Sequence, residues 1–442
     1  MGSSTATSVR KAVAFSFLFG VLAIACALRS AHLADFHLID HDEISWLLSG
    51  KALLDTGTPS GWTIYHAAYA AHGATDSSNV TPYLDHPPLF ALGIGLWAKF
   101  VGQSEPWQPD WRLVRLPMIA ISLLSILAAW AFVKRAFGTL QANFTLLAFA
   151  FLPSHVVTSR LIAPEHLIGL FLTLGMYAFV AHGEAETPRL RRRWLLAMAS
   201  LSIAAPLLKL SGIVVPATLV FAALTLRRIR LAATLMACAV ASLGLFAAYG
   251  ATYDWDLFVA LLEAHAERAQ TFAYFWSIFT HLDIGHYPFF DVSLIVGVFG
   301  ALSLALRSES RPVGHLLVAA LVVFSFLFLY VAPVELYGWY KYALYPLIAI
   351  GLGHVFNELY QGRVVFLVLF LPLLAMMLQQ SEILYEQDAR RNALIVLYGI
   401  VMAAVLIRRG PFQLRYALLS LLALLFAIEA VWVSKVLGVL PP

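Results

Sequence analysis

The chain has 442 residues, of which 61% are hydrophobic and 12% are charged, and its mean hydropathy is +0.80. This composition excludes an ordinary soluble globular protein and indicates a chain that crosses a membrane several times. The formal net charge of +4 is typical of membrane proteins with basic cytoplasmic loops, so we expect no nucleic-acid partner. Cys26 and Cys238 both lie in apolar runs, which excludes a disulfide framework and a cysteine-based metal site.

Thirteen apolar stretches predict an all-α polytopic bundle of about 13 transmembrane helices. Lipid tolerates only helices or closed barrels as spanning structures, and these stretches do not alternate with period two. The first stretch is interpreted as an uncleaved span because it is long for a signal peptide and more apolar runs follow. The predicted spans are 12–29, 115–133, 139–155, 164–181, 194–208, 211–226, 231–250, 289–306, 314–332, 342–356, 364–378, 393–407 and 416–434.

Alternation of these spans from a cytoplasmic N-terminus places the densest basic clusters on the cytoplasmic side. This topology requires that residues 86–102 form a helix in the membrane interface, and a short tilted span is the alternative. Most acidic residues and histidines then lie in the extracytoplasmic loops, chiefly 30–114 and 251–288. We therefore expect one integral domain over residues 1–442, in a bacterial inner membrane, with interfacial helices and the active site in the extracytoplasmic loop 30–114. Four acids remain on the cytoplasmic side: Glu184, Glu186, Glu309 and Glu358.

The first extracytoplasmic loop opens with a helix that carries two carboxylates at its start. Residues 39–57, IDHDEISWLLSGKALLDTG, place Asp42 and Glu43 ahead of an amphipathic stretch that ends at Gly57. Two interpretations stay open at this point. Either Asp42 caps the helix and Glu43 favours its dipole, or the pair performs catalysis.

A second polar element, YLDHPPLF at residues 83–90, precedes the interfacial helix. Its two prolines suit the first turn of a helix and fix the backbone ahead of it. Asp85 and His86 are thereby presented near a helix N-terminus, where anions bind favourably. The alternative is that Asp85 only caps the helix and that His86 is an ordinary loop residue.

In their order and spacing, these elements resemble the C-type membrane glycosyltransferases. The nearest branch is that of the protein O-mannosyltransferases and the bacterial aminoarabinose transferases of lipid A. The Asp-Glu pair, the acid-His-Pro-Pro element and the Arg-Leu-Pro that begins at Arg115 carry the resemblance, and APE at 163–165, Lys209 and residues 337–353 are similar to later features. The chain departs from the aminoarabinose branch at Trp46, where that branch has tyrosine, and at His86, where it has lysine.

The resemblance implies an enzyme that transfers a hexose or pentose from a polyprenyl-phosphate donor to an acceptor hydroxyl, with inversion at the anomeric carbon. It assigns Asp42 as the base and Glu43 as its supporting partner. A phosphate leaving group needs no strong general acid, so one catalytic carboxylate suffices. The acceptor is a lipid, a glycan or a protein. The implied substrate-binding residues are Trp46, Asp85, His86, Glu165, Lys209, Arg268, Lys341 and Tyr342.

Three cations, Lys209, Arg268 and Lys341, are the candidates to hold the donor phosphate. Lys209 is flanked by apolar residues, which is costly unless its amine reaches the interface or contacts an anion, and both explanations stay open. Glu165 lies at the entrance of a span, where helix capping explains it equally well.

A divalent metal, Mg²⁺, Mn²⁺ or Zn²⁺, is a further possibility at this face. Its predicted ligands are Asp85, His86 and His265, because carboxylate and imidazole are an acceptable ligand pair. The spacing of these residues is not that of an established metal motif, and the segment 261–276 around His265 also fits a solvated helix.

Two other functions are alternatives to the transfer of a sugar to an acceptor hydroxyl. A polytopic transporter or lipid flippase without transferase activity would concentrate polar residues near the midplane of the membrane, whereas this chain has them in the outer loops. Another C-type transferase, one that builds a glycan polymer or a lipid oligosaccharide, is not separated from a protein-modifying enzyme by these residues.

Overall fold

The fold is helical throughout most of the part of the chain that can be described. A computed structural model describes residues 2–33, 41–74, 79–103, 107–267, 282–284, 287–289, 291–329, 338–370, 372–373, 419, 422–423, 426–427 and 430–431. The helices are α1 (Gly2–Ser30), α2 (His41–Thr56), α3 (His66–Ala71), α4 (Leu89–Phe100), α5 (Trp111–Val114), α6 (Leu116–Phe137), α7 (Thr139–Phe151), α8 (Pro153–Thr158), α9 (Pro164–Gly183), α10 (Pro188–Leu208), α11 (Val214–Thr225), α12 (Ile229–Tyr253), α13 (Trp255–Ala266), α14 (Ser293–Arg307), α15 (Pro312–Leu329) and α16 (Tyr345–Tyr360). Short 3₁₀ turns span Leu210–Ile213, Gly338–Leu344 and Val364–Phe366.

The predicted polytopic helical fold is confirmed. Ten of the thirteen predicted spans coincide with helices of the described residues, namely α1, α6, α7, α9, α10, α11, α12, α14, α15 and α16. Three helical segments of this part are long and apolar enough to cross a membrane by themselves: Trp111–Phe137, Pro164–Gly183 and Ile229–Tyr253. The predicted span 393–407 lies outside the described residues, and the predicted spans 364–378 and 416–434 are described only in part, so the total of thirteen stays a prediction.

A two-stranded antiparallel hairpin is an addition that the all-helical prediction lacks. Strand β1 (Leu282–Ile284) pairs with β2 (Tyr287–Phe289), and Leu282 lies opposite Phe289. The hairpin falls within the predicted loop 251–288 and extends one residue beyond it. The same loop contains α13.

The helix α16 lies at the centre of the bundle and is buried from Tyr345 to Leu359. It packs against α14 and α7. A Cβ atom added to Gly351 would lie 1.8 Å from the carbonyl oxygen of Gly297, so only glycine permits this approach of the two backbones. Small residues at such crossings let membrane helices pack closely without a hydrophobic driving force.

The two predicted helices of the first loop form and pack against each other. α2 ends at Thr56, and the residue that follows, Gly57, has a φ of +76°, as a left-handed stop requires. A Cβ atom added to Gly50 would lie 1.9 Å from the carbonyl oxygen of Ala91, so α2 and α4 cross in backbone contact. α4 has 12 residues, about 18 Å, which is well short of the ~30 Å hydrocarbon thickness. The structure therefore favours the interfacial position of residues 86–102 over a tilted span.

The predicted span 139–155 is wrong at its end, because the helix breaks at Leu152. Pro153 begins a separate short helix, and the last carbonyl groups of α7 lose their helical partners. The fully buried Arg29 donates hydrogen bonds to the carbonyl oxygens of Phe149 (3.2 Å) and Ala150 (3.0 Å). The break is thus closed by a cation from α1, which binds the first span to α7.

The opposite end of the bundle, where α6, α9, α11 and α14 end, is rich in arginine and is called the basic end. Arg135 contacts Glu184 at 2.8 Å, and Glu358 accepts hydrogen bonds from Arg307 and Arg363. Two of the four acids that the sequence places on the cytoplasmic side are therefore neutralised by neighbouring arginines.

Candidate functional site

A small pocket lies where the start of α2 meets the segment that precedes α9. It is at the end of the bundle remote from the basic end, because α6 and α9 begin there. Three residues of α2, the segment 161–164, the first turn of α9 and one tyrosine of the 3₁₀ turn Gly338–Leu344 meet at this pocket. Its lining residues are Asp42, Glu43, Trp46, Leu161, Ile162, Ala163, Pro164, Glu165 and Tyr342.

Asp42 lines the pocket from the first turn of α2 and is half-buried. The helix begins at His41, so Asp42 lies inside the first turn and not at the preceding position from which a capping side chain acts. Its charge acts on Glu165 and on Lys209. Asp42, the predicted base, is therefore close enough to Glu165 and Lys209, two other predicted site residues, for its charge to affect both.

Glu43 is buried, and both of its carboxylate oxygens are engaged. Arg115 donates from Nη2 to Oε2 at 2.7 Å and from Nε to Oε1 at 3.1 Å, and the backbone N–H of Ile162 donates to Oε1 at 2.8 Å. Glu43 and Arg115 are 1% and 0% exposed, so this is a buried ion pair. It fixes the starts of α2 and α6 to the pocket wall. Glu43 is thus held in place next to Asp42 on α2, and its supporting role in catalysis stays a prediction.

Arg115 was not among the predicted site residues. The signal that could have identified it is the arginine of Arg-Leu-Pro at the entrance of an apolar span, because a charge at such a place needs an anionic partner.

Lys209 lies between α10 and the 3₁₀ turn Leu210–Ile213 and contacts Glu165 directly. Its ammonium nitrogen lies 2.7 Å from Glu165 Oε1, and it is 5.2 Å from the ring centre of Tyr340. Lys209 is only 6% exposed, so contact with an anion explains this lysine and extension to the interface does not.

Glu165 lies in the first turn of α9, and its Oε1 accepts the hydrogen bond from Lys209. Its second oxygen, Oε2, is buried and has no hydrogen-bond partner within the described residues. Because Glu165 lines the pocket, this oxygen is an acceptor that a bound hydroxyl can use.

Asp85 is buried, is not among the lining residues of the pocket, and accepts hydrogen bonds from two hydroxyl groups. Thr63 donates to Oδ2 at 2.6 Å and Tyr69 to Oδ1 at 2.8 Å, while the backbone N–H of Leu84 donates to the Tyr69 hydroxyl at 2.9 Å. Burial and the charge of Asp85 raise the pKa values of Tyr69 and Tyr83, which keeps the Tyr69 phenol protonated as a donor. Asp85 does not cap α4, whose cap position is Pro88. Its visible role is to hold the segment around α3 against residues 83–88.

His86 lies flat on Trp46, with ring centres 4.7 Å apart and planes inclined by 17°. Trp46 is itself buried and lines the pocket, so His86 forms the next layer of the wall. The ring of His265, on α13, lies 6.2 Å from His86 and 4.3 Å from Tyr65. α13 ends at Ala266, and residues 268–276 of the predicted segment, which include Arg268, lie outside the described residues.

The predicted metal ligands do not form a complete set. Over the described ranges of the chain, no three His, Cys, Asp or Glu side chains are grouped so that they could hold a metal ion. The metal stays a prediction, and no chemical step is derived through it.

Tyr342 and Lys341 come from the 3₁₀ turn Gly338–Leu344, and both are buried. Tyr342 lines the pocket and stacks on His166, with ring centres 4.5 Å apart. His166 directly follows Glu165 at the entrance of the span, where the sequence makes both residues candidates to line the cavity, and its Nε2 lies 2.9 Å from the carbonyl oxygen of Thr158. The structure thus brings Asp42, Trp46, Glu165 and Tyr342 to one pocket, with Lys209 and His86 as their immediate neighbours.

Comparison with known proteins shows that a family model matches part of the chain. Residues 85–250 match the family model described as dolichyl-phosphate-mannose-protein mannosyltransferase. No curated protein matches the sequence.

Solved structures share the fold at low sequence identity. ArnT from Cupriavidus metallidurans in the apo state has a TM-score of 0.64 and 17% identity, and the similarity covers 96% of this chain and 77% of ArnT. The structure of the same protein bound to undecaprenyl phosphate gives a TM-score of 0.64 and 17% identity, over 96% of this chain and 76% of that one. The oligosaccharyltransferase AglB from Archaeoglobus fulgidus, in complex with an inhibitory peptide and a dolichol-phosphate, has a TM-score of 0.51 and 11% identity, over 94% and 56% of the two chains.

Proposed function

Because the chain has the fold of the C-type membrane glycosyltransferases and the family signature of their protein O-mannosyltransferase and ArnT branch, we propose that it transfers a sugar from a polyprenyl-phosphate donor to an acceptor hydroxyl. The observation that carries the proposal is the pocket in which Asp42 and Glu165 meet at one end of a membrane bundle. The ArnT structure with undecaprenyl phosphate supports a donor of this lipid class.

In the proposed reaction Asp42 removes the proton from the acceptor hydroxyl. The oxygen attacks the anomeric carbon on the face opposite the phosphate, the bond from that carbon to the phosphate oxygen breaks, and the sugar is transferred with inversion. The proton remains on Asp42 and polyprenyl phosphate leaves as an anion. Glu43 and Arg115 hold the start of α2, so that the base needs no reorganisation at the moment of attack.

Cations near the pocket would stabilise the charge that develops on the leaving phosphate. Lys209 and Lys341 are the candidates in the described part of the chain, and Arg268 stays a prediction. Glu165 Oε2 would accept a hydrogen bond from a hydroxyl of the sugar or of the acceptor. We propose that the pocket faces the extracytoplasmic side of a bacterial inner membrane, since the arginine-rich loops lie at the other end of the bundle.

The direct test is consumption of donor by the purified protein. We expect one member of a panel of polyprenyl-phosphate hexoses and pentoses to release free polyprenyl phosphate when lipid, glycan and peptide acceptors are supplied, as measured by thin-layer chromatography of a radiolabelled sugar. Failure to consume any donor, together with protein-dependent movement of the intact donor across liposome membranes, would favour the transporter instead.

Lys209 offers a second prediction, on donor affinity. If its ammonium group binds the donor phosphate, Lys209→Met weakens donor binding by about 10- to 100-fold, as expected for the loss of a hydrogen bond to a charged group. Glu165→Gln is the matched variant, because it removes the carboxylate charge that pairs with the lysine, leaves the lysine in place and keeps an amide oxygen that can still accept from a sugar hydroxyl. Donor affinity, measured by titration in detergent, should fall only in Lys209→Met. An equal fall of donor affinity in both variants would show that Lys209 acts only through its ion pair with Glu165 and does not bind the donor phosphate.

A further inference from the structure

The basic end carries a group of exposed arginines at the starts of α10 and α12. This group is called the arginine patch, and its members are Arg189, Arg191, Arg192, Arg193, Arg227 and Arg230. α10 and α12 pack against each other, and the charges of Arg191 and Arg228 both act on His182, so the two runs of arginine lie side by side. Arg228 is half-buried against Gly183 and over the ring of Phe179, where it forms the floor of the patch.

Within the described residues, no acidic side chain forms an ion pair with a member of the arginine patch. The sequence contains no aspartate or glutamate from Thr187 to Gly250. The acids that precede this stretch most closely along the chain are Glu184 and Glu186, and Glu184 pairs with Arg135. Other arginines of the basic end differ in this respect, since Arg307 and Arg363 both contact Glu358. The patch therefore retains a strong positive field that attracts an anionic partner.

The arginine patch borders directly on exposed apolar side chains of the same helices. Leu190 and Leu196 on α10 and Ile229 on α12 are 41%, 56% and 61% exposed. Trp194 lies between these positions and contacts Tyr177 edge to face at 5.7 Å, which is typical of residues at the headgroup level. A soluble anion would bind the arginines and leave the apolar side chains uncovered. A phospholipid can contact the arginines with its headgroup and the apolar side chains with its acyl chains.

We propose that the arginine patch is a binding site for an anionic phospholipid, with the headgroup phosphate among the arginines and the acyl chains along α10 and α12. Clusters of cations beside membrane helices recognise such headgroups through charge, and each arginine near the surface contributes to the attraction. The site lies at the end of the bundle remote from Asp42, so it is independent of the proposed transfer reaction.

The test uses the full chain in phosphatidylcholine nanodiscs and phosphatidylglycerol labelled with a fluorophore on one acyl chain. We expect saturable binding of the labelled phosphatidylglycerol, no saturable binding of the equally labelled phosphatidylcholine, and about 25-fold weaker phosphatidylglycerol binding in R192Q/R230Q, because two arginines contribute roughly fivefold each. The matched control, K99Q/R112Q, removes two exposed cations from the opposite end of the molecule and should bind as the unmodified protein does.

Two outcomes would overturn the proposal. Equal binding by R192Q/R230Q and the control would show that the patch does not hold the lipid. Displacement of the labelled lipid by inorganic phosphate at millimolar concentration would show a small-anion site without a lipid component. A comparison of the melting temperatures of both double variants separates loss of binding from loss of fold.

Discussion

The substitution Asp42→Asn is expected to abolish sugar transfer, while the protein still folds and binds the lipid-linked donor. Asparagine has nearly the same shape as aspartate but cannot accept the proton of the attacking hydroxyl. Loss of a positioned general base lowers the rate by about 10²- to 10⁴-fold, and the loss is larger when the base also orients the nucleophile. Turnover should be measured under single-turnover conditions with saturating donor, so that binding does not obscure the chemical step.

A matched control for this substitution exists on the same helix. Asp55 lies near the opposite end of α2, is exposed and contacts Lys99 at 3.1 Å, so Asp55→Asn removes an equal charge without touching the pocket. Exposed pairs of this kind contribute little to stability. We expect unmodified turnover in Asp55→Asn and unmodified donor affinity in both variants. Turnover at the original rate in Asp42→Asn would remove this residue from the catalytic role.

The helices of the first loop could be predicted because their signals are local. The apolar stripe with Leu47 and Leu48 and the stop at Gly57 occur within one stretch of sequence, and α2 forms there. The prolines before α4 act on their own neighbours in the chain. In both helices the backbone conformation is decided by residues a few positions apart, which a single sequence contains in full.

The break between α7 and α8 could not be predicted from hydropathy. The apolar run continues through Pro153, and the carbonyl groups that the break exposes are satisfied by Arg29, which lies 121 positions before Ala150. A proline in an apolar run indicates a kink, but whether the chain resumes as the same span depends on a donor from elsewhere.

The sequence predicted several residues of the pocket but not the side chains that form hydrogen bonds with the predicted site residues. Asp42, Trp46, Glu165 and Tyr342 were predicted and do meet at one pocket. Asp85, however, is engaged by Thr63 and Tyr69, which no motif singles out. Physical chemistry requires that a buried carboxylate has partners, but it does not say which hydroxyl groups supply them.

The buried pair of Glu43 and Arg115 leads to the second large effect that we expect. Arg115→Met should strongly destabilise the protein, because it leaves the carboxylate of Glu43 buried with only the N–H of Ile162 as a partner among the contacts described above. Removal of one member of a buried ion pair costs about 3–5 kcal/mol, whereas replacement of both members by uncharged groups is often nearly neutral. The double variant Glu43→Gln/Arg115→Met is therefore expected to recover most of the lost stability.

A double-mutant cycle by thermal denaturation in detergent measures this recovery. Arg112→Gln serves as the control, because Arg112 lies on the same short segment but is exposed and contacts Asp110 on the surface. We expect a low melting temperature for Arg115→Met and for Glu43→Gln, and values near that of the unmodified protein for the double variant and for Arg112→Gln. If the losses of the two single variants simply add in the double variant, the pair does not act as a unit. The start of α2 would then be held in place by packing against α4, and Asp42 would owe its position to the contact of Gly50 with Ala91 and not to the arginine.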